Sequence, residues 1–171
     1  MNKSNIKGKN DRRDVNSEWF TGKTWMKVLS EKIKSKDQDI YHVHFEKGSR
    51  TKLHFHNGNQ VLMAVKGKGS LEIFKKYGTK KSDFKIKKTE RISLNEGDIV
   101  HIPAKTLHTH GSIDKNKEFS HIAINILPKK NSIYKTIWYE SDFKNKVTKN
   151  NLKQCPSKRI QKLVSLMVVK M

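Results

Sequence analysis

The chain has little of several features that mark particular classes of protein. It has 171 residues and a single cysteine, Cys155, which excludes an internal disulfide framework and any zinc site built from several cysteines. No apolar run approaches the roughly 20 residues that a membrane-spanning helix needs. The first residues carry charges but no apolar segment of the kind found in a secretory signal. We therefore expect a cytoplasmic protein without a membrane span.

Arginine is also scarce, although the chain is strongly basic. Lysine and arginine number 37 against 16 acidic residues, a formal net charge of +21, yet only five of the 37 are arginine. Proteins that read nucleic acid specifically favour arginine, because its guanidinium bonds guanine or phosphate at two points. A lysine-dominated excess fits a solvated surface, so we do not expect a dedicated nucleic-acid partner. Nonspecific attraction of the lysines to nucleic acid or another acidic polymer stays an alternative.

Hydrophobic residues make up only 34% of the chain, so part of it is expected to lie outside a packed core. Residues 1–18 are polar without periodicity, which predicts a disordered arm. Residues 143–171 form a basic extension without an acidic residue, in which apolar side chains at near-helical spacing indicate a short helix. The strand signals lie between these two tails, and we expect a single domain over residues 19–142.

The central region has the pattern of an all-β protein. Short runs of alternating or continuous apolar residues, typical of strands, cover residues 41–45, 60–65, 71–74, 91–94, 99–102 and 121–127. Glycine-containing turns are expected at residues 46–49, 67–69 and 95–98. Many short strands without intervening helices predict a closed antiparallel barrel or a sandwich. The lysine-rich residues 75–88 are expected to form an exposed hairpin or loop.

The histidines carry the chemical signal, because all eight lie between His42 and His121. His54 and His56 are two apart on a predicted strand, so their side chains share one face. Gln60 can return to that face from the next strand, and His108 would join from a distant one. Three imidazoles and an amide oxygen can bind a divalent metal and leave positions open for substrate or water. Taken alone, the His-x-His pair is better explained by two structural histidines that are satisfied by their neighbours.

The residues around these histidines form two spaced motifs. The first contains, in order, Gly48, His54, His56, Gln60 and Gly67, and the second contains Gly97, Pro103 and His108. This frame resembles the two signature motifs of the cupin superfamily, which are small jelly-roll β-barrels that hold a metal inside. Gln60 stands where the family has glutamate, and Lys105 stands where it has glycine. The resemblance implies one antiparallel cupin barrel with polar, basic N- and C-terminal tails.

A narrower resemblance covers about residues 19–127. The chain is similar to small single-domain cupins described as carboxymuconolactone-decarboxylase-like or quercetin-dioxygenase-like, a group that includes manganese-dependent cupin hydroxynitrile lyases. This similarity implies one divalent transition metal, manganese first, with iron, nickel, cobalt or zinc as alternatives. It also implies a homo-oligomer, as a dimer or larger. The ligands that it implies are His54, His56, Gln60 and His108.

The same resemblance implies that His110 and His121 are catalytic, one of them acting as a base. Because His110 lies two residues past His108, both side chains are expected on one strand face. A histidine with a near-neutral pKa beside a metal is suited to moving a proton. The alternative for each residue is support of the ligands or packing in the core. His42 and His44 alternate with Val43 and are expected on the barrel's polar face.

Three functions are compatible with these sequence features. The first is a metal-dependent enzyme, of lyase or dioxygenase type, that acts on a small oxygenated organic molecule. The second is a cupin that binds a metal or a small ligand without turnover. The third is a binder of nucleic acid or another acidic polymer through the lysine-rich surface, which predicts a steep loss of binding with salt.

Overall fold

The computed structural model describes residues 1–7, 12–15, 18–79, 83–113, 115–129, 132–144 and 146–149. Apart from one four-residue helix, α1 (Ser30–Ile33), the regular elements among these residues are strands. The strands are β1 (Arg13–Asp14), β2 (Phe20–Thr21), β3 (Thr24–Val28), β4 (Gln38–Phe45), β5 (Arg50–Thr51), β6 (Leu53–His56), β7 (Gln60–Tyr77), β8 (Asp83–Asn95), β9 (Ile99–Ile102), β10 (Leu107–Ser112), β11 (Phe119–Ile126), β12 (Thr136–Ser141) and β13 (Lys146–Lys149).

The strands form a nearly closed antiparallel barrel, which confirms the predicted all-β fold class. One wall contains β1, β3, β4, β11, the first part of β7, and β9. The other wall contains the second part of β7 with β8, β10, β5, β2, β6, β12 and β13. Since β7 belongs to both walls, it joins them along one side of the barrel.

The passage of β7 between the walls occurs at Gly67–Gly69, where the sequence predicted a turn. The strand instead continues through these residues. Gly67 has a φ of +74°, and a Cβ at Gly69 would lie 2.6 Å from the Phe119 ring. The glycines therefore allow the backbone to bend closely over a buried aromatic ring without ending the strand.

Two apolar clusters support the barrel. The larger fills the interior and includes Phe45, Leu62, Leu71 and Phe119, each at most 1% exposed. The smaller lies beneath the β7–β8 hairpin, where Phe84 packs with residues of β6, β10, β12 and β13. The lysine-rich segment 75–88 is accordingly a hairpin, with 80–82 outside the described residues, and its buried side chains anchor it to the barrel.

Short strands also occur beyond the predicted domain bounds of 19–142. Within the arm predicted to be disordered, Arg13 and Asp14 pair with Met26 and Trp25 of β3. Within the basic extension, β13 pairs with β8 and β12. The predicted C-terminal helix falls in residues 150–171, outside the described residues. In the part of the chain that the structure describes, no helix is long and apolar enough to cross a membrane.

Candidate metal centre

Strand pairing brings the sequence-predicted ligands together inside the barrel. His54 of β6 is the direct cross-strand partner of His108 of β10, and their ring centroids lie 4.2 Å apart. The His56 ring lies 4.8 Å from that of His54 and 5.4 Å from that of His108. Gln60 begins β7, and its side chain is buried like the three imidazoles. Four residues from three strands thus converge although 54 positions separate the first from the last.

One ring nitrogen of each imidazole is committed to a fixed hydrogen bond. The Nδ1 atoms of His54 and His108 donate to the backbone carbonyls of Lys52 and Thr106, each at 2.8 Å. A carbonyl can only accept, so the proton is on Nδ1, and Nε2 of each ring keeps its lone pair. The Nδ1 of His56 is hydrogen-bonded to Oγ1 of Thr136 at 2.9 Å. Such bonds orient metal-binding histidines in proteins.

The amide of Gln60 is oriented in a similar way. Its Nε2 donates to Oδ1 of Asn125 at 2.9 Å, and this bond fixes the position of the opposite amide atom, Oε1. In the described part of the chain, Oε1 of Gln60 and Nε2 of His56 and His108 are buried without a hydrogen-bond partner. Leaving a buried acceptor unpaired costs about 1–3 kcal/mol. With the His56 proton on Nδ1, facing Thr136, all three atoms are acceptors, and a bound cation would satisfy them together.

Burial also sets the protonation of these histidines. Removal from water lowers the pKa of His108 to about 4, and it lowers the pKa of His54 and His56 well below the ordinary value. For His54 and His56, the charge of the neighbouring imidazoles adds to this lowering. All three rings are therefore neutral near pH 7, and the neutral imidazole is the form that binds metal.

His110 lies beside the predicted ligands, and His121 lies behind it. A ring nitrogen of His110 is within 4.8 Å of ring nitrogens of His54 and His108. Nδ1 of His110 is hydrogen-bonded to Nε2 of His121 at 3.2 Å. The Phe45 ring packs against both, at centroid distances of 5.8 and 5.4 Å. The structure thus places His110 next to the centre and connects it to a second imidazole farther into the core.

The protonation of this pair differs from the sequence-based expectation of a near-neutral pKa. Burial lowers the pKa of His121 to about 3 and that of His110 well below its ordinary value. For His110, the charges of His121 and of the nearby predicted ligands lower the pKa further. Both rings are neutral at physiological pH. Each can accept a proton only while another group compensates the buried positive charge.

Three aromatic residues outside the predicted ligand set lie at the centre. Trp138 is the β12 partner of His54 in register, and its ring centroid lies 4.4 Å from that of His54. Trp19 stacks on Trp138 at 6.0 Å, and Tyr134 lies 4.9 Å from His56. These three rings, together with His54 and His56, line a cavity of about 300 Å³. Thr136 and Trp138 share one face of β12, and the pairing of β12 with β6 makes this face a continuation of the His54–His56 face.

His42 and His44 are not among the residues that line this cavity. They alternate with Val43 and Phe45, which belong to the interior cluster, so they lie on the outer face of β4. They are buried there, at 9% and 8% exposure, rather than solvated as a polar barrel face implies. Trp25 covers them, stacking on His44 at 4.8 Å and meeting His42 edge-on at 5.2 Å.

A family model described as Cupin matches residues 22–154. The chain belongs to the cupin family. Among solved structures, it is similar to a cupin-like protein from Thermotoga maritima, with 29% identity, a TM-score of 0.57, and coverage of 75% of this chain and 84% of that one. None of the curated proteins matches this cupin.

More distant solved structures share the fold. A predicted oxalate decarboxylase from Thermotoga maritima has 18% identity and a TM-score of 0.50, with coverage of 68% of this chain and 91% of that one. Oxalate decarboxylase from Bacillus subtilis has 19% identity and a TM-score of 0.52 over 74% of this cupin. This cupin spans only 29% of that chain.

Proposed function

We propose that this cupin binds one divalent transition metal through His54, His56, Gln60 and His108 and acts as an enzyme on a small oxygenated organic molecule. The observation that carries the proposal is the set of buried acceptors without partners: Nε2 of His56, Nε2 of His108 and Oε1 of Gln60. Three neutral imidazoles and one amide oxygen suit manganese, iron, cobalt, nickel or zinc. By similarity to the manganese-dependent cupins, manganese is the first choice.

The character of the four ligands determines what they do to the metal. None carries a negative charge, because Gln60 replaces the carboxylate that the cupin motif has at this position. A metal held here keeps its double charge, binds somewhat less tightly than with glutamate, and acts as a Lewis acid toward a hydroxyl, carbonyl or enolate oxygen. Thr136 and Asn125 hold His56 and Gln60 in position for this task.

His110 is the residue that we assign to proton transfer. It is neutral, lies beside the ligands and is hydrogen-bonded to His121, so it can take a proton from an oxygen or carbon held at the centre. The hydrogen bond to His121 fixes the orientation of the ring, and the anion left on the substrate would balance the proton that His110 accepts. Lyase chemistry and dioxygenase chemistry both fit this arrangement, and the oxalate decarboxylases show that a similar barrel can serve a decarboxylase.

The test uses the full chain loaded separately with manganese, iron, cobalt, nickel or zinc. Each preparation is incubated with a mixture of small hydroxy, keto and carboxylic acids, and the mixture is compared before and after by mass spectrometry. We expect one metal to support conversion of a component and a chelator to abolish it. His110→Phe should keep the metal and lose turnover, whereas the matched variant His44→Phe on the outer face should keep both.

Two outcomes would contradict the proposal in different ways. If conversion persists with the chelator and in His110→Phe, neither the metal nor His110 takes part in the reaction. Saturable binding of a component without product, under every metal, would indicate the alternative of a cupin that binds a ligand without turnover. The expected cytoplasmic location and homo-oligomeric state are part of the proposal and are checked by fractionation of cells and by light scattering.

A further inference from the structure

We infer that the ligand of this cavity carries an apolar ring and at most one negative charge, with an oxygen group that faces His54, His56 and Gln60. The inference rests on the proposed function, since it names the substrate class of the same metal centre. It separates this cupin from an enzyme whose substrate is a small dianion such as oxalate. Three features of the cavity support it: its size, its ring-lined wall and the location of its charges.

The size of the cavity exceeds what a two-carbon acid fills. Its volume is about 300 Å³, whereas an apolar cavity of about 150 Å³ already accepts benzene. An oxalate-sized molecule bound at the four ligands would leave most of the remaining wall in contact with water. A molecule with an oxygen group at the centre and a six-membered ring beyond it fits the volume.

The wall next to the ligands is made of rings and apolar side chains. Trp138 lies against His54, Trp19 stacks on Trp138, and Phe20 lies 6.2 Å from Trp138. Across the cavity from β12, strands β3 and β4 contribute Met26 and Val43 to the lining. Burying a ring against such a wall is favourable in proportion to the apolar area removed from water, and offset or edge-on aromatic contacts add to it.

The charged residues of the lining offer no site for a second carboxylate. They are Arg13, Glu31, Asp39 and Lys135, two of each sign. Arg13 pairs with Glu31 at 3.5 Å, and each of these side chains is 43% exposed. Lys135 is also exposed. In the described part of the lining there is thus no buried cation, and besides the metal a dianion would meet only exposed cations to balance its two charges.

The experiment compares three acids on the metal-loaded full chain by isothermal titration calorimetry. Pyruvate and benzoylformate share one α-keto carboxylate group, and only benzoylformate carries a ring; oxalate carries two carboxylates and no ring. We expect benzoylformate to bind at least about tenfold more tightly than pyruvate and oxalate. Trp138→Ala should reduce the ratio between benzoylformate and pyruvate toward one. Trp25→Ala, which removes an indole from the outer face, should leave that ratio unchanged.

The outcomes separate this inference from the proposed function. Metal content is measured on every variant, and a chain that holds no metal contradicts the proposed function itself. If the metal is held and oxalate or pyruvate binds as tightly as benzoylformate, the inference is wrong while the metal centre stands. If the preference for benzoylformate persists in Trp138→Ala at full metal content, the ring does not bind where we place it.

Discussion

Two groups of buried histidines in this cupin differ in what surrounds their free nitrogens. Inside the barrel, His56 and His108 have one nitrogen hydrogen-bonded and the other buried without a partner. On the outer face of β4, Nδ1 of His44 is hydrogen-bonded to Ser120 at 2.7 Å, and its Nε2 lies 4.0 Å from a carboxylate oxygen of Glu118. The inner rings converge on one another, whereas the outer pair stacks on Trp25.

The comparison shows that burial alone does not identify a metal ligand. Both groups are shielded from water, and burial lowers the pKa of His42 as well as that of His108 to about 4. On the outer face Nδ1 of His42 is also buried without a hydrogen-bond partner, so the inner group is distinguished by having three such atoms on neighbouring side chains, His56, Gln60 and His108. Paired substitutions, one in each group, test that distinction.

The largest effect concerns the packing behind each group. Phe45 is fully buried and contacts His110 and His121, so Phe45→Ala should lower the free energy of unfolding by about 3–5 kcal/mol. Trp25 is only partly buried over the outer pair, and Trp25→Ala should cost clearly less. Urea denaturation of the metal-free chains measures both. Equal losses would show that the two groups are packed alike.

The second effect concerns the hydroxyl groups that hold the histidines. Thr136→Val removes the partner of His56 Nδ1 and should weaken metal binding by about 10–100-fold, as loss of such an orienting bond does in other metal sites. Ser120→Ala removes the partner of His44 and should leave metal affinity unchanged. Competition with a metallochromic chelator measures both values. A weakening in Ser120→Ala of the same size would erase the distinction between the groups.

The third effect concerns Gln60, the proposed neutral ligand. Gln60→Glu places a carboxylate at the centre, and its attraction to a divalent cation should tighten metal binding by about tenfold, or about 1.4 kcal/mol. Gln38→Glu adds the same charge at an exposed position of β4 and should leave the affinity as it is. The same chelator competition applies. Unchanged affinity in Gln60→Glu would indicate that this side chain does not contact the metal.

The smallest effect concerns the loss of folding stability in acid that His42 of the outer pair causes. Burial first, and then the charges of His44, Arg12 and Lys27, lower the pKa of His42 to about 4 in the folded chain, against about 6.5 in an unfolded chain. Between these values the unfolded state binds the additional proton, so the stability that His42 contributes above pH 6.5 is lost as the pH falls toward 4.

We therefore expect His42→Leu to reduce the drop in Tm between pH 7.5 and pH 5. The reduction should be only a few degrees, since one partly screened group is involved. The control is His101→Leu, on the exposed side of β9, which should keep the full drop. If Tm falls as much in His42→Leu as in the unaltered chain, other groups cause the whole acid sensitivity.

Much of the barrel and of the centre could be predicted from the sequence. Two-residue alternation put His54 and His56 on one face, and the resemblance of the glycine and proline frame to the cupin motifs connected them to His108 across a long separation. Trp138 could not be predicted in the same way, because β12 joins β6 through pairing that no local pattern encodes.

Sequence patterns also could not predict that the outer histidines are buried. Alternation correctly placed His42 opposite Val43, but the covering elements come from elsewhere in the chain. Trp25 lies on the neighbouring strand, and residues of the N-terminal arm reach the same face, where Nζ of Lys27 donates to the backbone carbonyl of Asn5 at 2.7 Å. An arm without periodicity gives no signal for such contacts.

The metal content of two double variants tests whether the inner histidines form a metal centre. The inner variant is His54→Ala/His108→Ala, the outer variant is His42→Ala/His44→Ala, and both are measured beside the unaltered chain by plasma mass spectrometry after reconstitution and desalting. We predict close to one equivalent of a transition metal in the unaltered chain and in the outer variant, and none in the inner variant. Metal retained by the inner variant, or lost equally from both, would contradict a metal centre formed by the inner histidines.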